Sequence, residues 1–356
     1  MPKVSIKPQW SIHDPRGRAL SLRLLELLQQ VQAHGSLSAA CKAEGASYRH
    51  AWSLVRQGEE QLGQALLHME RGKGSSLTAL GERLVWAGHR IHARLAPLLH
   101  TLSSELETEL RKVMEDDHPT LRMHASHGFA IEKLFEILSA QDLRVERKYV
   151  GSQEAVVSLH SGACDVAGFP VPQGEFEARA LAHYARWLDP QQSRLIHVAT
   201  RRQGLMVRPG NPLKIYSVKD LARPGLRFVN RQPSSGTRFL LDCLLDQAGL
   251  PPERIQSSHS EFTHAAVAAY VASEMADVGL GVETPSRQFG LDFVPLVSER
   301  YFLLTTREHL EGPGVQPVLQ VLQSEAFRQS VNDLTGYSAA QCGRVQTLHE
   351  AFPDCY

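Results

Sequence analysis

No run of eighteen apolar residues exists in the chain, and Met1 to Trp10 contain no long apolar segment. Neither a membrane-spanning helix nor a secretory leader is expected, and the protein is read as cytoplasmic. Cysteine is scarce: Cys41, Cys164, Cys243, Cys342 and Cys355 are odd in number, widely spaced and without a C-x-x-C pair. That spacing argues against a disulfide framework and a zinc site and leaves ordinary buried or terminal thiols. A G-x-S-x-G elbow and a phosphate-binding loop are both missing, so hydrolase and nucleoside-triphosphatase chemistry have no carrier. His124 and His127 lie three apart with no matching carboxylate or histidine cluster, so no metal site is expected. No catalytic residue and no cofactor is assigned.

Net charge is absent as well, since 38 Lys and Arg balance 38 Asp and Glu. The balance hides an asymmetry. Residues 1–100 hold 13 basic and 7 acidic side chains, residues 101–117 hold 2 and 6, and the remainder holds 23 and 25. A modestly basic N-terminal module on a neutral body suits a site-specific DNA binder better than a general nucleic-acid coat. With 356 residues, the chain exceeds what one core usually organises, and two or three domains are expected.

What is present begins with Gly35-Ser36-Leu37-Ser38-Ala39-Ala40, followed by Ser47-Tyr48-Arg49-His50-Ala51-Trp52. Ser36 and Ser47 are good helix N-caps, and Ala39, Ala40 and Ala43 let a second helix cross closely. This is the outline of a helix-turn-helix. Its second helix presents Tyr48, Arg49, His50, Ser53 and Arg56 to phosphates and base edges, and Ser36, Ser47 and Trp52 complete the expected DNA-contacting set. Leu20, Leu24, Leu27, Leu28 and Val31 recur at helical spacing and give a preceding helix. Residues 65–70 and 77–78 read as two short strands around the basic turn Arg71-Gly72-Lys73-Gly74-Ser75-Ser76, a β-wing that adds Arg71 and Lys73 to that set. Next, Leu80, Leu84, Ile91, Leu95, Leu98, Leu102, Leu106, Leu110 and Val113 step by three, four or seven, as in a dimerising helix, with a kink or split expected near Ala96 because of Pro97. The acidic run Glu115-Asp116-Asp117 marks a linker.

Beyond Pro119 short apolar strands alternate with helices, which predicts an α/β layer with a mostly parallel sheet. Residues 195–200, 205–207, 293–296 and 301–305 read as connecting strands between two lobes, leaving a hinged cleft. The expected division is therefore a winged helix-turn-helix over 1–77, a dimerisation and linker helix over 78–118, and a two-lobed α/β domain over 119–356. Lobe I covers about 119–198 and 295–356, and lobe II about 203–290.

In open α/β sheets a ligand sits beyond the carboxyl ends of the strands, at helix N-termini. That rule selects Ser126, His127 and Gly128; Ser152; Asn230, Arg231, Ser234, Ser235, Gly236, Thr237 and Arg238; and Thr263 with His264. Hydroxyls, glycines and guanidinium groups in such places suit a small anion. Ser126, Ser152 and Thr263 read equally well as plain helix caps, and Arg231 faces either the cleft or a structural carboxylate.

The blocks Gly35-Ser36-Leu37-Ser38-Ala39-Ala40, Ser47-Tyr48 with Ala51-Trp52, and Arg71-Gly72-Lys73-Gly74 before Leu77-Thr78-Ala79-Leu80-Gly81-Glu82-Arg83-Leu84 resemble the winged helix of the ModE family of molybdate-responsive regulators, relatives of the LysR type. The resemblance covers residues 18–90 and implies a homodimer, with a tetramer the other LysR-like assembly, on a partly palindromic double-stranded DNA operator. Residues 119–356 depart from that family and resemble instead the type 2 periplasmic-binding-protein fold. The carriers there are Gln203-Gly204-Leu205, Arg208-Pro209-Gly210-Asn211-Pro212, Asn230-Arg231, Ser235-Gly236-Thr237-Arg238, Thr263-His264-Ala265-Ala266-Val267-Ala268 and Ala276-Asp277-Val278-Gly279-Leu280-Gly281. Both relatives connect to molybdenum metabolism, which implies molybdate or tungstate as effector, with a small carboxylate such as formate satisfying the same donors. The expected function is a one-component, oxyanion-controlled transcription regulator. An anion carrier or enzyme with an idle helix-turn-helix is the competing class, and a DNA-binding structural protein with an empty effector fold is the third.

Overall fold

A computed structural model describes residues 3–70, 74–114, 120–141, 143–257 and 259–356. The chain forms two compact units, Lys7–Leu95 and Ala96–Tyr356, the latter joined by Met1–Ile6.

In the smaller unit, α1 (Leu22–His34), α2 (Leu37–Ala43) and α3 (Tyr48–Leu62) pack around Leu24, Leu28, Val31, Leu37, Ala40 and Val55. Gly35 ends α1 in the left-handed region at φ 77°, where a side chain would be strained. Ser36 and Ser47 cap the next two helices, accepting from the N–H groups of Ala39 and His50. Strands β1 (Leu67–Glu70) and β2 (Gly74–Leu77) pair antiparallel with Leu67 opposite Leu77, so the wing forms as expected. Arg71 and Lys73 lie outside the described residues.

Helix α4 (Ala79–Val113) runs unbroken through Pro97, so the expected split does not occur. A helical proline forfeits one donor and crowds one carbonyl, a local cost that a 35-residue helix can carry.

The larger unit holds one mixed sheet in the order β4-β3-β5-β10-β6-β9-β7-β8. Its first half contains β3 (Leu121–Ala125), α5 (Phe129–Ala140), β4 (Val145–Tyr149), α6 (Ser152–His160), β5 (Val166–Pro172) and α7 (Glu177–Tyr184). The long strand β6 (Ser193–Val207) leads into β7 (Phe228–Arg231), α8 (Gly236–Gln247), β8 (His259–Glu261), α9 (His264–Ala272), β9 (Val278–Val282) and α10 (Glu283–Gln288). Strand β10 (Asp292–Thr306) returns to the first half. Helices α11 (Arg307–Glu311), α12 (Val315–Gln323) and α13 (Glu325–Asn332), strands β11 (Tyr337–Ser338) and β12 (Val345–Gln346), and α14 (Leu348–Ala351) complete it.

The sheet is less parallel than expected. Pairs β3/β4, β3/β5, β7/β8 and β7/β9 are parallel, whereas β5/β10, β6/β10 and β6/β9 are antiparallel. The four expected connecting strands are in fact two, β6 and β10, each 15 residues long and each serving both lobes. Their apolar pattern breaks at Arg201, Gln203 and Glu299 because those residues face the cleft.

Strand β4 lies at one end of the sheet, and the second half of α4 covers it. Thr101 accepts the Tyr149 N–H at 3.1 Å and Ser104 accepts the Arg147 N–H at 2.9 Å. Hydroxyls three apart on a helix thus meet donors two apart on a strand. Among the described residues no helix is long and apolar enough to cross a membrane. Cys41, Cys164, Cys243 and Cys342 are free and buried, and Cys355 is free and half-buried.

Candidate functional site

In the smaller unit, α3 exposes Tyr48, Arg49, His50, Ser53 and Arg56. Trp52 is half-buried against the core beneath the Arg56 guanidinium, which stands 4.8 Å from its ring centre and also pairs with Glu59. Ser36 and Ser47 act as caps, with Ser36 half-buried and Ser47 exposed. A basic, tyrosine-bearing face at a helix start suits a major groove.

In the larger unit the cleft floor follows from strand register. Arg201 on β6 stands opposite Glu299 on β10, and Gln203 and Tyr301, two residues along, point the same way. Arg201 Nε donates to Glu299 Oε1 at 2.6 Å, and both side chains are buried. Gln203 Nε2 donates to the same carboxylate oxygen at 2.9 Å and to Thr237 Oγ1 at 3.1 Å. The Arg201 guanidinium lies over the Tyr301 ring, whose hydroxyl donates to the Ser126 carbonyl at 3.0 Å and lies 3.0 Å from its Oγ.

Helix starts form the walls. After β3, Ser126, His127 and Gly128 open α5, which carries no side-chain cap, and a Cβ on Gly128 would come 2.8 Å from Arg201 Nη1. His127 is buried beside Tyr149, with Nε2 2.7 Å from Glu132 Oε1. Burial raises the Glu132 pKa, but the His127 charge and hydrogen bond together with the nearby His100 and Lys133 outweigh it and hold the carboxyl below its usual range. After β4, Ser152 starts α6, and its hydroxyl accepts the Gly236 N–H at 3.3 Å from the other lobe. A Cβ on Gly151 would come 2.2 Å from Ser234 Oγ, so the two loops touch. Ser235 caps α8 through the Arg238 N–H, and Thr263 caps α9 through the Ala266 N–H.

Arg231 is buried with no carboxylate in ion-pair distance among the described residues. It donates Nη2 to the Phe262 carbonyl at 2.8 Å and Nε to Gln232 at 3.2 Å, and its Nη1 lies 3.0 Å from His264 Nδ1. Burial, with the Arg201 charge nearby, pulls its pKa down to about 9, which leaves it cationic at neutral pH. His264 Nδ1 also accepts the Val282 N–H at 3.3 Å, and burial together with Arg231, Arg201 and His127 holds the ring far below 6.5 and therefore neutral.

The structure thus gathers Ser126, His127, Gly128, Ser152, Arg231, Ser234, Ser235, Gly236, Thr237, Thr263 and His264 around one floor. Arg238 and Asn230 stand apart from that floor. Arg238 Nε is tied to Asp242 on its own helix at 2.9 Å, and with Asn230 and Arg231 it lines an outer groove of about 360 Å³ beside Leu241 and Pro252. Arg201, Gln203, Glu299 and Tyr301 escaped sequence reasoning, although polar residues two apart inside apolar strands were the available signal.

Residues 136–323 match the PBP superfamily domain, and residues 22–82 match the bacterial regulatory helix-turn-helix protein family of lysR type. The chain is 32% identical over 200 residues to the uncharacterized protein YvgK of Bacillus subtilis strain 168, a match covering 56% of this chain and 64% of that protein's length. It is 33% identical over 111 residues to an uncharacterized Clostridium pasteurianum protein from the 5′ region of a 2Fe-2S ferredoxin gene, covering 31% of this chain and 98% of the other. Among solved structures, OxyR of Corynebacterium glutamicum with hydrogen peroxide bound is 13% identical, with a TM-score of 0.44 over 88% of this chain and 94% of the other. The chain belongs to the PBP superfamily, and its residues 22–82 are similar to the helix-turn-helix of the lysR family of bacterial regulators.

Proposed function

We propose that this protein is a one-component transcription regulator, not an enzyme: α3 and the wing read an operator, and a small oxyanion held between the lobes sets the affinity for it. Arg231 carries this reading. A buried guanidinium without a carboxylate is costly unless an anion completes it, and its five N–H donors exceed the three acceptors around it, Gln232, His264 and the Phe262 carbonyl. The uncapped first turn of α5 and the Ser152 hydroxyl supply further donors of the type a tetrahedral oxyanion takes. Molybdate or tungstate is the first effector, on the strength of the N-terminal blocks that resemble the molybdate-responsive regulators, and formate is the second. Differential affinity for the closed lobes provides the coupling, on the order of 1–3 kcal/mol. A homodimer fits the row of exposed Leu98, Leu102, Leu106 and Leu110 on α4.

The test is a melting-temperature screen with molybdate, tungstate, sulfate, phosphate and formate, run beside retardation of the DNA upstream of the protein's own gene at moderate salt. A rise with one anion and altered retardation by that same anion is expected. Failure to retard the DNA removes the regulator, and no rise with any of the five anions removes the oxyanion.

A further inference from the structure

The floor of the cleft carries two acceptors that no donor answers. Glu299 Oε2 and Gln203 Oε1 are buried without a hydrogen-bond partner among the described residues, and both residues are 0% exposed. Their orientation is fixed by their neighbours. Gln203 meets Glu299 Oε1 at 2.9 Å, and a carboxylate oxygen only accepts, so the amide nitrogen faces it and Gln203 Oε1 is the atom left over. Arg201 Nε, at 2.6 Å, is spent on the same Glu299 Oε1, and Thr237 Oγ1, at 3.1 Å, on the Gln203 nitrogen.

Buried acceptors without donors cost free energy, as donors without acceptors do. Arg231 brings the opposite excess to the same space, and its guanidinium lies close enough to feel the charges of Arg201 and Glu299. A ligand that suits both must present lone pairs to Arg231 and an O–H to the floor. A fully ionised oxyanion has lone pairs only, and beside Glu299 Oε2 it meets a second negative oxygen. One proton between the two oxygens turns that repulsion into a charge-assisted hydrogen bond.

We propose that the cleft binds its oxyanion in a singly protonated form, with Glu299 Oε2 and Gln203 Oε1 as the acceptors that select for the proton. The inference rests on the oxyanion reading of the cleft and adds the state in which the anion is held. Hydrogen phosphate brings the proton with it. Molybdate, tungstate and sulfate, ionised in solution, take one from the buffer, and it comes to lie between an oxygen of the anion and Glu299 Oε2. Sulfate, the weakest base of the four, is the anion this floor disfavours most. The groups facing Glu299 are Arg201 on β6, Arg231 on β7, Tyr184 on α7, Tyr337 on β11 and Tyr301 on its own strand. Burial raises the three tyrosines; it also lowers Arg201, but the Glu299 charge outweighs it and holds that guanidinium above its usual value. With Arg231 at about 9, none of the five changes charge between about pH 7 and pH 8. His127 and Glu132 stand on the opposite wall, and any proton they take up accompanies every dianion alike.

The test is titration calorimetry of the full chain with molybdate, tungstate, sulfate and phosphate, each in two buffers of different ionisation enthalpy, so that the protons taken up on binding are counted. Molybdate or tungstate is expected to take up about one proton more than phosphate does, and its affinity to fall about tenfold per unit between about pH 7 and pH 8. Binding of phosphate with none of the ionised anions is the same selection at its limit and also supports the proposal. Glu299→Gln, whose amide donates as well as accepts, should lose the extra proton and bind sulfate more tightly relative to phosphate. The wild-type proton count decides the matter by itself should that variant fail to fold. Molybdate, tungstate or sulfate binding with no more uptake than phosphate overturns the protonated form and leaves the oxyanion reading standing. Extra uptake that persists in folded Glu299→Gln overturns the role of Glu299 in the same way. Absence of binding by all four anions removes both readings together.

Discussion

The Gly236 N–H donates to the Ser152 hydroxyl at 3.3 Å and joins the α8 start of one lobe to the α6 start of the other. The same contact leaves no room at Gly151, where an added Cβ would come 2.2 Å from Ser234 Oγ. Gly151→Val should therefore hold the lobes apart. The expected result is loss of the anion-induced melting shift with basal DNA retardation retained. An undiminished shift would show that closure does not need this contact.

Arg231→Ala should abolish the anion-induced melting shift, whereas Arg238→Ala should leave it within error, because Arg238 is already tied to Asp242. Parallel thermal scans of the two variants decide the matter, and the opposite ranking would move the ligand to the outer groove.

Glu299→Ala strands the buried Arg201 and removes an acceptor from Gln203. Breaking one side of such a buried pair costs roughly 3–5 kcal/mol, so denaturant unfolding should shift by that order. Glu299→Gln, which keeps an acceptor oxygen, should cost less.

Acid should destabilise the larger unit through histidines buried in their neutral form. Burial, with Lys148 and Arg122 nearby, lowers His124 to about 4, and burial, with Arg300 and Arg344, lowers His197 to about 4. Their unfolded values lie near 6.5, so below that pH the unfolded chain binds protons that the folded chain refuses. Stability is thus complete above pH 6.5 and falls between 6.5 and 4, by roughly 2 kcal/mol per residue at pH 5. Denaturant titrations at pH 7.5 and pH 5, compared with His124→Gln, measure this, and an unchanged midpoint in wild-type protein would contradict it.

On α3, Arg49→Ala should weaken DNA retardation and, if Arg49 meets a phosphate, reduce the salt slope by about one unit. A base-contacting role would instead relax sequence preference while leaving the slope unchanged.

The helix starts were legible because their signals are local. Ser36, Ser47, Ser235 and Thr263 each cap the helix they were expected to open. The two-lobed α/β architecture was legible from the alternation of strands and helices, and its PBP-like character only through the resemblance carried by the motif blocks. The cleft floor was not: Arg201 and Glu299 are 98 residues apart and meet only through the β6/β10 register, which no window along the chain displays. Polar residues inside those strands read as interruptions when they were the site itself. Arg238 was misleading for the opposite reason, because Asp242 one helical turn away captures a cation that seemed free to reach a ligand.

The hydroxyls of Thr101 and Ser104 do for β4 what a neighbouring strand would otherwise do. A fragment beginning at Thr120 would lack both, baring the Tyr149 and Arg147 donors along the outermost strand. Such an edge is a template for self-association, so an excised binding-protein-like domain should aggregate where the whole chain stays dispersed. On this expectation the Thr101 and Ser104 hydroxyls of α4 are what would keep the α/β domain from polymerising through β4.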